Sequence, residues 1–126
     1  MIYGIGTDIV TIARMSELYG RHAERALDKL LAPEEITICL KAPDPARYLA
    51  KRFAAKEALG KAFGTGIRVP VLLPAMAVLN DELGKPYFRF YGELASYVQE
   101  RRLSVHLSIG DERDSAVAFV VVEQVP

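Results

Sequence analysis

One cysteine, Cys39, is all the chain carries, so no intramolecular disulfide can form and a reducing cytoplasm is the expected setting. With no evident helper nearby in sequence, it reads as a small helix residue and not as a nucleophile. Long apolar runs are missing too. The longest, residues 116–122, falls far short of the about 20 residues that a membrane span needs. The amino terminus, M-I-Y-G-I-G-T-D, has neither the basic region nor the apolar stretch of a signal peptide. A soluble cytoplasmic protein with no membrane partner is therefore expected. Net charge is absent, with 16 Lys+Arg against 16 Asp+Glu. No aromatic residues alternate with bases as a stacking platform requires, which argues against nucleic acid as a partner. A Walker loop, a nucleophile elbow, a zinc pattern and a dinucleotide fingerprint are all missing.

What is present suits one domain spanning residues 1–126, with 51% hydrophobic residues and no low-complexity tract. A chain of this size buries roughly two thirds of its unfolded surface, enough for a real core. Charge is unevenly spread. Residues 44–68 hold six bases (Arg47, Lys51, Arg52, Lys56, Lys61, Arg68) against two acids. Residues 110–126 hold four acids and one base. A basic middle on a neutral chain suits an anionic ligand.

Residues 2–10 are rich in β-branched and aromatic side chains and predict a strand. Thr11 can cap a helix over residues 12–21, and a second helical piece covers residues 23–31. Pro33-Glu34-Glu35 opens another helix, because proline fits the first turn and acids suit the positive end of the dipole. Asp44-Pro45 repeats that signature for a long helix that Gly64 ends. Prolines 70 and 74 keep residues 69–75 irregular. Strands follow at 76–80 and 87–91 around the D-E-L-G-K-P turn, then a helix at 92–102. Two more strands, 105–109 and 116–122, flank the polar loop G-D-E-R-D-S. The order β-ααα-ββ-α-ββ predicts an α+β fold, in which an antiparallel sheet of about five strands packs against the long helix and shorter ones. The 116–122 strand is expected at an open sheet edge, where its apolar length would invite self-association.

The chemistry concentrates in two places. Asp8 lies inside an apolar strand behind Gly4 and Gly6, where a carboxylate is costly unless neutralised. It reads either as a metal ligand or as a cap on the next helix. Glu57 and Lys61, four residues apart, share a helix face. They read either as a metal ligand beside a phosphate-contacting ammonium or as a solvated surface pair. Gly64-Thr65-Gly66 ends the helix and can turn backbone N–H groups toward a ligand. Alternation in V-H-L-S-I puts His106 with Ser108 on the face opposite Val105, Leu107 and Ile109.

Taken together, G-I-G-T-D-I-V and R-F-A-A-K-E-A-L-G-K-A-F-G-T-G-I resemble the holo-acyl-carrier-protein synthase family, the small bacterial phosphopantetheinyl transferases. The resemblance runs through L-N-D-E-L-G-K-P and H-L-S-I-G-D-E-R-D-S-A-V-A-F-V-V-V-E, and is weaker over residues 21–41. It implies the phosphopantetheinyl transferase fold and Mg²⁺-dependent transfer of 4′-phosphopantetheine from coenzyme A to a serine of apo acyl carrier protein. Adenosine 3′,5′-bisphosphate would be released, and the setting would be fatty acid biosynthesis. On this resemblance Asp8 and Glu57 hold the metal, and Lys61 contacts phosphate as the third catalytic residue. Gly64, Thr65, Gly66 and His106 border coenzyme A, and Arg14 and Arg21 dock the carrier protein. Either Glu57 or a water in the metal shell would serve as general base. The family is a homotrimer with sites at subunit interfaces. Gly110 and Asp114-Ser115 depart from its usual residues and bear on the hairpin loop. A competing class is a non-catalytic oligomer that binds coenzyme A or a carrier protein.

Overall fold

In the computed structural model, which describes residues 1–126, the elements follow the expected order. They are β1 (Ile2–Thr11), α1 (Ile12–Leu30), α2 (Pro33–Lys41), α3 (Pro45–Phe63), a 3₁₀ turn (Leu73–Ala75), β2 (Met76–Asn80), β3 (Pro86–Phe90), α4 (Gly92–Glu100), β4 (Leu103–Asp111) and β5 (Ser115–Gln124). The two helical pieces expected at the start of the chain are α1, broken by non-helical angles at His22 (φ −141°, ψ 48°). Thr11 precedes α1 without a side-chain cap. The free N–H of Ile12 is met instead by the Asp114 carbonyl at 2.9 Å, which ties the hairpin turn to the start of the helix. At α3 the expected signals act directly. The Asp44 carboxylate accepts from the Arg47 N–H at 3.2 Å, Pro45 fills the first turn, and Gly64 ends the helix at φ 79°.

All five strands are antiparallel, divided into a three-stranded sheet, β1-β5-β4, and a two-stranded one, β2-β3. The expectation that the last strand lies at an edge is corrected here. β5 sits in the middle, so the open edges belong to β1 and β4. The reason is alternation. Ala116, Ala118, Val120 and Val122 are all at most 1% exposed and form the inner face against α3. A strand with more buried residues than either neighbour gains by being paired on both sides. On the outer face, Ile5 (61% exposed), Ile9 (68%), Val117 and Phe119 stand in solvent.

The helix–sheet contact carries the site. α3 presents Ala58 and Ala62, small enough for close approach, and β1 answers with glycine. A Cβ at Gly6 would collide with the Ala58 carbonyl, and one at Gly4 with that of Ala62. The two motifs that the sequence shows far apart are thus packed backbone against backbone. The hairpin between β4 and β5 is tighter than expected, since Gly110 and Asp111 belong to β4 and Ser115 to β5. Arg47 holds its turn, donating to Asp111 Oδ2 and the Glu112 carbonyl (both 2.8 Å) and to the Arg113 carbonyl (3.2 Å).

Candidate active site

Asp8 lies on the inner side of β1, two residues past Gly6, where α3 comes closest. Its side chain is 19% exposed. Lys61 reaches over from α3 and donates to Asp8 Oδ1 at 3.1 Å and to the Thr7 carbonyl at 3.0 Å. This corrects two local readings. Asp8 does not cap α1, and Lys61 forms no ion pair with Glu57. Glu57 sits one helical turn earlier, half-buried, with no hydrogen bond or ion pair to its carboxylate. Burial first, and the Asp8 charge second, push its carboxyl above the ordinary range, while Lys61 and Arg14 pull it back. Two neighbouring carboxylates, one lacking any donor, on a strand and a helix that meet, are a hard-oxygen set. Such a set suits Mg²⁺, which takes one or two carboxylates and keeps its other positions for water and phosphate.

Beside Glu57 a cavity of about 450 Å³ opens between α1 and α3, with Arg14, Leu18, His22, Phe53 and Leu73 in its walls. The Arg14 guanidinium lies 5.5 Å from the centre of the Phe53 ring. Arg25 and Lys29 add positive charge to the same cavity. Sequence reasoning missed them, although positions 14, 18, 22, 25 and 29 recur at helical spacing and mark one stripe. Arg21 is absent from that wall. It points to solvent and pairs with Glu17 at 3.3 Å, both side chains about two-thirds exposed or more.

Past Lys61 the chain turns at Gly64 and Gly66, both at positive φ (79° and 66°) with open space where a side chain would stand. The N–H groups of Gly64 and Gly66 are used internally, on the Lys61 and Gly60 carbonyls. Thr65 alone keeps a free N–H, and its hydroxyl donates to the Gly66 carbonyl at 2.8 Å. His106 is elsewhere. It stands exposed on the outer sheet face, its Nε2 2.6 Å from Glu123 Oε1, opposite the face that carries Asp8.

The expected basic middle does not survive as a surface. Lys56 is wholly buried on Glu35 at 2.6 Å. Arg52 is 6% exposed, stacked 4.3 Å from the Tyr48 ring centre and bonded to Asn80 Oδ1. Arg47 and Lys51 are taken by Asp44 and Asp111. Cys39 is fully buried in α2, and burial raises its thiol, so it is no nucleophile. No helix of the chain is long and apolar enough to cross a membrane.

Residues 4–120 match the model of the 4′-phosphopantetheinyl transferase superfamily. A holo-[acyl-carrier-protein] synthase of Dechloromonas aromatica is 57% identical over 98% of both chains. The crystal structure of holo-[acyl-carrier-protein] synthase from Neisseria meningitidis is 46% identical, superposes with a TM-score of 0.93, and covers 98% of this chain and 99% of its own. A Bacillus anthracis synthase solved in complex with CoA (3′,5′-ADP) is 33% identical, with a TM-score of 0.83 over 99% of each chain. The chain belongs to the 4′-phosphopantetheinyl transferase superfamily.

Proposed function

From that membership we propose that the chain, acting as one domain over residues 1–126, transfers 4′-phosphopantetheine from coenzyme A to a serine of apo acyl carrier protein. The observation that carries the reading is the meeting of Asp8, Glu57 and Lys61 across the glycine-lined contact of β1 and α3. Coenzyme A as donor is supported by the Bacillus anthracis relative, whose structure holds it. Asp8 and Glu57 would hold a Mg²⁺ ion, which when bound supplies charge neutralisation on the pyrophosphate. Lys61, 3.1 Å from Asp8, sets an ammonium beside those phosphates. Thr65 offers its N–H from the turn that follows. Arg14 at the cavity rim orients the acidic carrier, so that the serine oxygen lies in line with the β-phosphorus. The new bond joins serine oxygen to phosphorus, and the bond that breaks releases adenosine 3′,5′-bisphosphate with its electron pair. A base beside the metal, Glu57 or a water held in the metal shell, would take the serine proton.

Three copies would share these sites, each pair across an interface. The exposed outer face supports this reading, since Ile5, Ile9 and Phe119 gain by cover and His106 on that face would approach a neighbour's site. Phe119→Glu should then yield monomers in sedimentation, and an unchanged sedimentation coefficient would refute the covered face. The setting is cytoplasmic fatty acid biosynthesis. Incubating the protein with apo carrier, coenzyme A and Mg²⁺ tests the activity. Mass spectrometry should show the carrier gaining one phosphopantetheine, whereas binding of carrier or coenzyme A without that gain identifies a non-catalytic module.

A further inference from the structure

Lys56, one residue before Glu57, is fully buried and spends its three ammonium hydrogens on three different elements. Nζ donates to the Leu30 carbonyl at the end of α1 (2.7 Å), to Glu35 Oε1 on α2 (2.6 Å) and to the Leu73 carbonyl in the 3₁₀ turn (2.9 Å). Glu35, also wholly buried, passes the link on. Its Oε1 accepts from the Ala32 N–H and its Oε2 from the Val78 N–H on β2, both at 2.8 Å. Leu30 and Leu73 are at the same time walls of the cavity into which Glu57 and Phe53 project. The node therefore fastens the wall opposite α3 to α3 itself, directly beside Glu57.

A buried ion pair is a poor device for stability alone, because desolvation offsets the attraction and an apolar pair of similar volume often does as well. What it supplies is fixed geometry, since each hydrogen bond is lost if α3 rotates or slides against α1. We infer that Lys56, anchored by Glu35 and the Leu30 and Leu73 carbonyls, is a positioning residue that sets the α1–α3 cavity and the place of Glu57 within it. This rests on the reading of Glu57 as part of the transfer site.

The test uses the full chain carrying Glu35→Gln with Lys56→Met, which removes both charges together and leaves no buried ion unpaired. Leu103→Ala, in the core at the start of β4, serves as a destabilised control. Thermal melts, kcat and KM for coenzyme A, and Mn²⁺ binding followed by electron paramagnetic resonance are measured for each. The double variant should stay folded, lose tenfold or more in kcat, keep its coenzyme A KM within about twofold, and bind Mn²⁺ about tenfold more weakly. The control should melt lower yet keep kcat and Mn²⁺ affinity. A folded double variant with kcat and Mn²⁺ affinity within twofold of the parent overturns the inference and leaves the transferase reading standing. A parent that neither transfers nor binds Mn²⁺ overturns both.

Discussion

Lys61 Nζ stands 3.1 Å from Asp8 Oδ1, 53 residues back in the chain, and pairs with no carboxylate on its own helix. The helix spacing that puts Lys61 four residues after Glu57 would favour a local pair, worth only about 0.3–0.5 kcal/mol. The long-range contact wins because β1 passes within hydrogen-bond reach through its glycines. Lys61→Ala should therefore slow transfer tenfold or more, about 1.4 kcal/mol of barrier. Its 55% exposed side chain carries little of the fold, so the melting temperature should barely move. A variant that melts lower but turns over normally would return Lys61 to a structural role.

Removing either carboxylate should be far worse for activity. Asp8→Ala and Glu57→Ala are each expected to cost about a thousandfold in rate, roughly 4 kcal/mol. Folding should survive, since each change relieves the repulsion that helps raise the Glu57 carboxyl. Near-full turnover in either variant, or in excess chelator, would end the metal assignment.

Arg14 and Arg21 are seven residues apart, close to two helical turns, and the sequence suggests one docking surface. The structure separates them, Arg14 at the cavity and Arg21 paired with Glu17 in solvent. Arg14→Glu should raise the KM for the carrier tenfold or more, with a weaker dependence on salt, because its charge acts at the site. Arg21→Glu should shift it only about twofold. Steady-state kinetics at two ionic strengths separates these outcomes, and equal effects would favour a diffuse basic surface.

The hairpin latch predicts an acid dependence. Asp111 is held below the ordinary carboxylate range, chiefly by its hydrogen bond from Arg47 and further by Lys51. With a lowered folded value, its stabilisation is present above the unfolded value of about 3.9 and is lost as pH falls through the folded one. Melting temperature should thus drop more steeply below about pH 4 in the parent than in Asp111→Asn. The difference should shrink in high salt, because the pair is partly exposed. Parallel curves for the two proteins would remove Asp111 from the account.

Much of the architecture follows from local rules. Asp44, Pro45 and Gly64 bound α3 because a cap, a fixed φ and a left-handed turn act within one helical turn of the residue concerned. The two pieces of α1, the β2–β3 hairpin and the alternation of β5 are readable for the same reason. The motifs also named in advance the residues that meet at the α3–β1 contact, although not how they meet. Partnership across long stretches of chain was decided by packing alone. β5 is central because its inner face has most to bury, and periodicity gives a strand's faces but not its neighbours. Lys56 and Arg52 look like surface bases by composition, yet each has partners more than ten residues distant that make burial tolerable. Arg25 and Lys29 share the helical stripe of Arg14, yet only the packing of α1 against α3 makes that stripe a cavity wall. Local chemistry thus set the elements and named the reactive side chains, while tertiary contact chose which charges stay free to act.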